Sequence, residues 1–201
     1  SLICKDDETL RRTSVRKLKP LAFNLNLIQQ LSELSWLPVD NNVSIAEMEQ
    51  AFRSIVRTKR FSRWTDLLLV SVGNAAFCRL FNGDLWAMLT VFAATLLGFL
   101  VKQQLSRLKY NPLGVIILSA FAASMAAACA VIFQLGSTPQ IALATSVLFL
   151  VPGVQMINSI MDLMHGHILM GISRGVHSIM MISCITIGLS ATMLIVGVNS
   201  L

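Results

Sequence analysis

Four polar side chains follow a Pro-Gly pair at the spacing of a helix. Pro152-Gly153 interrupts a segment as apolar as a membrane span, and the polar residues after it are Gln155, Asn158, Asp162 and His165. At about 100° per residue, intervals of three, four and three place these side chains within roughly 80° of arc. So narrow a stripe is typical of the wall of a water-filled pathway or of a buried contact between helices.

The Pro-Gly pair itself exposes backbone groups. Pro152 has no amide hydrogen to complete the helical ladder, and Gly153 adds backbone freedom. In hydrocarbon such a break is tolerated only where protein or a water-filled cavity satisfies the freed groups. A helix starting at Gly153 would point its positive end at mid-membrane, where transporters hold anionic groups. We therefore expect a carboxylate site here, with Gln155, Asn158 and Ser146 as candidate hydrogen-bonding partners.

Asp162 is the one acidic residue between Asp84 and the end of the chain. An ionisable residue inside a span is costly and suggests a functional site, so Asp162 is a candidate for proton coupling or gating. The alternative is structural, either a salt bridge with Arg174 or a cap near the cytoplasmic end. Arg174 is itself a candidate for attracting anions to the cytoplasmic mouth.

His165 and His167, together with Asp162, resemble metal ligands. However, residues two apart on a helix do not share a face, and no Cys or Glu is close in the sequence. We therefore predict a polar turn with a pH-responsive histidine. No metal site and no cofactor are expected.

Composition places these residues in a membrane protein. The chain has 201 residues, of which 55% are hydrophobic and 13% charged, whereas soluble domains carry about 25% charged residues. Residues 1–63 hold 11 of the 16 Lys and Arg residues and 7 of the 10 acids. The sequence therefore predicts a polar N-terminal segment, 1–63, followed by a membrane domain, 64–201.

The predicted fold is mainly α, with five transmembrane helices of which the fourth is broken at Pro152-Gly153. Basic residues cluster before the first span and in the segment 102–111, which predicts a cytoplasmic N-terminus and an outside C-terminus. The expected spans cover about 64–81, 85–101, 113–135, 140–164 and 175–198.

The segment 1–63 is expected to be a small cytoplasmic α/β unit. Weak alternation predicts two short strands around the turn Asp6-Asp7-Glu8, and apolar spacing predicts a helix over 24–37. Because the chain starts at Ser1 without Met, we expect it to be the remainder of a longer protein.

The broken segment resembles a family signature. Residues 144–153 read "ATSVLFLVPG", and Asn158, Asp162, Gly166-His167, Gly171 and Arg174 follow. This pattern resembles that of the threonine/serine exporter family, and "RRTSVRKLKPLAFNLNLIQQLSELS" resembles the family's cytoplasmic segment. In one departure, Gln155 stands where the family usually has a second Pro.

The resemblance implies a bacterial inner-membrane exporter driven by the proton gradient. Threonine and serine are the family's substrates, and a related split two-protein form exports succinate. The chain resembles the N-terminal five-span half, and the larger subunit of the split form, so a second five-span membrane protein is expected as partner. An odd number of spans favours the same pairing, as an inverted repeat.

We therefore predict a secondary exporter of a small carboxylate metabolite, and not an enzyme. The sequence does not separate threonine or serine from a dicarboxylate such as succinate. One alternative is a non-transporting scaffold or regulatory subunit. Another is a membrane-embedded enzyme that uses Asp162 with His165 or His167, although no nucleophile is clearly paired with a base.

Overall fold

Helices make up nearly all of the computed structural model, which describes residues 2–3, 11–12, 25–40, 45–56 and 62–197. The chain divides into two compact units, Ser1–Arg60 and Phe61–Leu201. The predicted boundary, between 63 and 64, differs because the helix of the first predicted span already begins at Arg63.

The described residues of the first unit form one pair of strands and two helices. Strand β1 (Leu2–Ile3) pairs antiparallel with β2 (Arg11–Arg12), and Leu2 lies opposite Arg12. The predicted turn Asp6-Asp7-Glu8 lies outside the described residues. A ladder of two residues on each side does not establish an α/β unit, which stays a prediction.

Helices α1 (Leu25–Asp40) and α2 (Ile45–Val56) pack on each other within this unit. Leu34 is buried between them, and both helices line a shallow groove that includes Met48 and Phe52. α1 ends three residues beyond the predicted end at Leu37, because a proline in the last turn removes only one helical hydrogen bond.

The second unit is a bundle of helices of very different lengths. Its elements in order are α3 (Arg63–Leu80), α4 (Leu85–Arg107), α5 (Pro112–Ile132), α6 (Pro139–Thr145), a 3-10 turn (Leu148–Leu150), α7 (Gly153–Met164) and α8 (Ile168–Val196).

Two helices extend beyond the spans predicted for them. α4 continues to Arg107 and not only to 101, because no helix-breaking residue comes before Asn111-Pro112. α8 begins at Ile168, seven residues earlier than expected, after a connection of only three residues in which Gly166 has a φ of +79°. Arg174 therefore lies in a helix and not in a loop.

Apolar length identifies three to four membrane spans among the described residues. α4, α5 and α8 are each long and apolar enough to cross a bilayer, and the bent segment from Pro139 to Met164 is a fourth if it counts as one span. α3 does not qualify, since Asp66, Asn74 and Arg79 lower its hydropathy. The predicted count of five is therefore not established by these helices.

Small residues allow α5 to approach both α4 and α8 closely. A Cβ added at Gly98 would lie 2.7 Å from the Cβ of Ala123, and one at Gly188 would lie 2.7 Å from the carbonyl oxygen of Ile117. Close approach through small residues is how helices pack in membranes, where the hydrophobic effect does not draw them together. α5 is accordingly the most buried of the spans.

Asp84 joins the two turns at one end of the bundle. Its Oδ1 accepts from the amide of Ala87 at 2.8 Å and caps α4, while its Oδ2 accepts from the amide of Ser137 at 2.7 Å. The Thr138 hydroxyl donates to Oδ1 at 3.1 Å and accepts from the Asp84 amide at 3.0 Å. This carboxylate therefore holds the start of α6 beside the start of α4.

Replacing Gly188 by alanine is expected to lower the thermal stability of the bundle. Overpacking costs about 1–3 kcal/mol, which exceeds the roughly 1 kcal/mol by which alanine favours a helix over glycine. Gly114→Ala on α5 is the matched control, because no atom lies within 4 Å of its Cβ position. Thermal unfolding in detergent compares the two variants, and equal unfolding temperatures would contradict a close α5–α8 contact.

Acid should remove the contribution of Asp84 to stability. The amides of Ala87 and Ser137 hold the pKa of Asp84 below its ordinary value of 3.8. A carboxyl group whose pKa is lowered by folding stabilises the folded state at pH values above its unfolded pKa. This contribution is lost as the pH falls through the folded pKa. Asp84→Asn should therefore unfold more easily than the wild type at neutral pH, and the difference should shrink below about pH 3.8.

Unfolding measured at several pH values tests this, with Asp66→Asn as the control. The Asp66 carboxylate accepts no hydrogen bond within the described residues, although Asp66, like Asp84, lies near the N-terminal end of a helix. A stability difference for Asp84→Asn that stays constant down to pH 2 would contradict the assignment.

Candidate functional site

The fourth predicted span is interrupted over seven residues, from Ser146 to Pro152. After the 3-10 turn, Val151 takes up extended backbone, with φ −61° and ψ 127°, and the helix axis bends by 59°. The break predicted at Pro152-Gly153 therefore begins earlier, at the end of α6. A longer interruption frees more backbone groups than one missing proline hydrogen bond would.

Asn74 of α3 satisfies one of the freed carbonyls. Its Nδ2 donates to the carbonyl oxygen of Thr145 at 3.2 Å and to the hydroxyl oxygen of Thr95 on α4 at 2.7 Å. Asn74, Thr95 and Thr145 are all buried. One amide group therefore ties the end of α6 to two neighbouring helices.

Ser146 is fully buried at the end of α6. Its hydroxyl donates to the carbonyl oxygen of Leu143 at 2.7 Å, within the same helical turn. The structure thus places the hydroxyl of this predicted site residue in a local backbone bond.

The start of α7 presents two free amides. Pro152 caps the helix without a side-chain hydrogen bond, and the first helical bond runs from the amide of Met156 to its carbonyl. Among the described residues, nothing accepts from the amides of Val154 and Gln155. These amides and the helix dipole make the position suited to an anion.

A groove of about 510 Å³ lies between α3 and the break. Gly153 is exposed beside it, and a Cβ at this residue would meet no atom within 4 Å. The lining of the groove is mainly apolar, as is usual for small-molecule sites. It consists of Val70, Gly73, Asn74, Phe77, Phe81, Leu148, Phe149, Val151 and Gly153.

A larger groove of about 640 Å³ runs along α8 between Ile179 and Leu194. Residues of α8 alone line it, so it is the outer surface of one helix and cannot surround a solute. The groove at the break is lined by two separate parts of the chain, which makes it the better candidate.

Phe149, an aromatic residue that lines the groove at the break, is held in place by α4. Phe149 packs edge-on against Phe99 of α4, with 6.2 Å between the ring centroids. A Cβ at Gly98 would lie 3.0 Å from the Phe149 ring, so glycine lets this ring approach α4.

Three of the four residues of the predicted polar stripe, Gln155, Asn158 and Asp162, lie on α7, and His165 lies just beyond it. Gln155 and Asn158 are half-buried; Gln155 Oε1 is enclosed without a partner, and Asn158 makes no hydrogen bond within the described residues. His165 lies beyond the last turn and is exposed, with its Nδ1 2.7 Å from the carbonyl oxygen of Met161. Its position outside the helix separates it from the other members of the stripe.

Asp162 and Arg174 are brought together across the α7–α8 hairpin. Arg174 Nη1 lies 2.7 Å from Asp162 Oδ2, and the side chains are 45% and 22% exposed, respectively. The N–H is not aligned as a hydrogen bond, so the contact is one of charge. The salt bridge with Arg174, which was the structural alternative for Asp162, is therefore present. It also pairs the positive charge of Arg174 with a carboxylate.

Ser159 was not among the predicted site residues. It is buried, and its hydroxyl donates to the carbonyl oxygen of Gly171 on α8 at 2.7 Å. Glycines at 171 and 175 permit this contact, because a Cβ at Gly175 would lie 2.9 Å from Ser159 Oγ. The hairpin is thus fixed at two levels, by Ser159 and by the ion pair.

Asn74 and Thr95 were also missed in the sequence. A polar residue within a predicted span was the available signal for each. Their partner, the carbonyl of Thr145, is 71 residues from Asn74 and carries no signal of its own. Within the described residues, no three His, Cys, Asp or Glu side chains come close enough to hold a metal ion.

Asp162→Asn and Arg174→Gln should show coupled effects on stability. For a partly exposed pair we expect a coupling of about 0.5–1 kcal/mol, because solvent screens the charges. The two single variants and the double variant, unfolded in detergent, give this value. The exposed pair Glu49–Arg53 on α2 is the comparison, with an expected coupling of about 0.3–0.5 kcal/mol. Strictly additive effects at Asp162 and Arg174 would contradict the contact.

Comparisons with known proteins match the chain over nearly its whole length. The family described as "Putative threonine/serine exporter" matches residues 1–196. The "Probable succinate transporter subunit YjjP" of Escherichia coli (strain K12) is 34% identical over 175 residues, which cover 85% of this chain and 66% of the relative. The protein of the same name from Klebsiella aerogenes is 31% identical over 194 residues, which cover 94% and 73%.

The chain thus spans about two thirds of the length of the first relative and somewhat more of the second. No solved structure matches it significantly. The family match and both relatives agree with the apolar helices in indicating a membrane transport protein. The chain belongs to the threonine/serine exporter family.

Proposed function

We propose that this chain is one half of a secondary exporter for a small carboxylate metabolite in a bacterial inner membrane. The observation that carries the proposal is the groove at the break, which is lined by Gly153, the residue directly before the two free amides of α7. Two candidate substrate types follow from the family and the relatives, namely threonine or serine and a dicarboxylate such as succinate.

Recognition of the carboxylate would take place at the start of α7. The amides of Val154 and Gln155 lack acceptors, so they can replace the water that a carboxylate loses on entering the bilayer. Aromatic side chains on both sides of the groove reduce the local dielectric constant and strengthen these bonds. The exposed Gly153 leaves room for the substrate to approach the backbone.

Proton coupling would act through the ion pair of the α7–α8 hairpin. Protonation of Asp162 removes its attraction for Arg174 and leaves the Ser159 bond as the remaining polar tie between the two helices. A substrate-dependent change in that pair would link proton movement to the position of α7. The sequence contains no phosphate-binding loop, which favours a gradient over ATP as the energy source.

A fifth span would be supplied by α3. It has 18 residues, or about 27 Å, and the polar hydrogens of its buried residues are satisfied: Ser71 donates to the carbonyl oxygen of Leu67, and Asn74 donates to Thr95 and Thr145. Polar groups that face protein are compatible with a membrane position. Five spans with a cytoplasmic N-terminus would leave the C-terminus outside.

The groove also favours a second subunit. Gly73, Val151 and Gly153 are exposed along its edge, so the groove is open on one side in this chain alone. A five-span partner in the opposite orientation would enclose the substrate there. The relatives are themselves named as subunits.

Export of labelled substrate tests the proposal. Cells that lack their own exporters are loaded with labelled threonine, serine or succinate, and efflux is measured with the full-length chain, its partner, or both. We expect one substrate class to leave only when both proteins are present. Asp162→Asn should keep the protein in the membrane but reduce the dependence of efflux on the proton gradient.

Ser183→Ala is the matched control, because its exposed hydroxyl donates only to its own helix, to the carbonyl oxygen of Ile179. Efflux of the same substrate by the partner alone would make this chain a scaffold or regulatory subunit. No efflux of any candidate with both proteins present would count against the proposal as a whole.

A further inference from the structure

Asn74 has a role at the groove beyond holding the break. It lies on α3, is only 4% exposed, and lines the groove that also contains Gly153. Its amide nitrogen uses both hydrogens, one for the Thr145 carbonyl and one for the Thr95 hydroxyl. Its amide oxygen is the part of the side chain that these bonds do not use.

The orientation of this amide is fixed by chemistry. A backbone carbonyl can only accept a hydrogen bond, so the atom facing the Thr145 oxygen must be the nitrogen and not the oxygen of Asn74. The Oδ1 atom consequently points away from Thr145.

Asn74 Oδ1 is both unpartnered and accessible. Among the described residues, no hydrogen bond reaches it, and the enclosed side-chain atoms that lack partners are Gln155 Oε1 and Asp162 Oδ2. An atom that has no partner and is not enclosed must reach open space. The open space that Asn74 lines is the groove at the break.

The groove therefore offers two kinds of group to a solute. Asn74 provides a free acceptor in its wall, and the free amides of Val154 and Gln155 directly follow Gly153, the residue of α7 that lines it. A carboxylate alone would use only the donors. A substrate that also carries a hydrogen-bond donor would use both.

We propose that Asn74 contacts the transported molecule and helps to determine specificity, with Oδ1 accepting a hydrogen bond from a donor group of the substrate. The donor would be the ammonium or hydroxyl group of an amino acid, or the protonated second carboxyl group of a dicarboxylate. This inference rests on the proposed export function. It assigns Asn74 two bonds to the protein and one to the substrate.

Protection of a thiol at position 74 tests the contact. The full-length chain, with Cys4, Cys78, Cys129 and Cys184 replaced by alanine, carries Asn74→Cys and is expressed with its partner. A small water-soluble maleimide should label this thiol, and the transported substrate should slow the labelling. Threonine, serine and succinate are used separately, so the compound that protects identifies the source of the donor group.

Val72→Cys is the matched control on the same helix. Val72 is 58% exposed but does not line the groove, so no substrate should alter its labelling. An unreactive thiol at position 74, or one that the transported substrate fails to protect, would overturn the contact while the efflux of the wild-type protein leaves the export function intact.

A kinetic measurement covers the case in which the thiol variant does not accumulate. Asn74→Ser should raise KM for export roughly two- to tenfold, the effect of one neutral hydrogen bond, with a smaller change in maximal rate. Thr95→Val removes a partner of the Asn74 nitrogen without touching Oδ1, so it should affect stability and rate but not KM. Equal KM values for wild type and Asn74→Ser would show that Asn74 only holds the break.

Efflux by the wild-type pair distinguishes failure of the export function from failure of the Asn74 contact. If the wild-type pair exports no candidate substrate, the export function fails and this inference falls with it. If export proceeds and both tests at position 74 are negative, only the role of Asn74 is wrong.

Discussion

The structure of the membrane unit depends on satisfying backbone groups that a broken helix exposes in hydrocarbon. An unpaired carbonyl there costs several kcal/mol, so the break is stable only where a donor is supplied from nearby. Asn74 supplies that donor for Thr145, and Thr95 fixes the donor in turn. α3 and α4 are thus held against the end of α6 by a polar contact inside an apolar bundle. The same contact places Asn74 beside the groove.

This constraint places a polar residue on α3, which lacks the apolar length of a span. α3 is less apolar than α4, α5 or α8 because of Asp66, Asn74 and Arg79, and among these Asn74 bonds to the break. Its buried face includes Ser71 and Asn74, both with hydrogen-bond partners within the bundle. Hydropathy measures the cost of such residues in lipid, but their cost is small where protein provides partners. A helix that satisfies a broken neighbour can therefore carry buried polar residues at little cost.

The sequence predicted the features that depend on local chemistry, such as a broken helix near Pro152-Gly153 and a turn at His165 and His167. It failed where distant residues decide. α8 starts directly after the turn at Gly166, and glycines at 171 and 175 let α7 pack closely on it, which brings Arg174 beside Asp162. His165 left the predicted stripe because α7 ends at Met164. Asn74 was missed because its partner is the backbone carbonyl of Thr145. Every residue has such a carbonyl, so the sequence does not indicate which one Asn74 binds.

The two ends of α7 differ in how firmly they are held. Its later half is tied to α8 by the Ser159 bond and by the charge contact of Asp162 with Arg174, whereas its first turn has two free amides and begins at Gly153, which lines the groove. α7 packs mainly on α8, and the backbone before it is non-helical from Ser146 to Pro152. The α7–α8 hairpin is also held to α5, because α8 packs closely on α5 at Gly188. Asn74 on α3 and Gly153 at the start of α7 line the same groove, so a solute bound there would contact both the helix that satisfies the break and the helix that follows it.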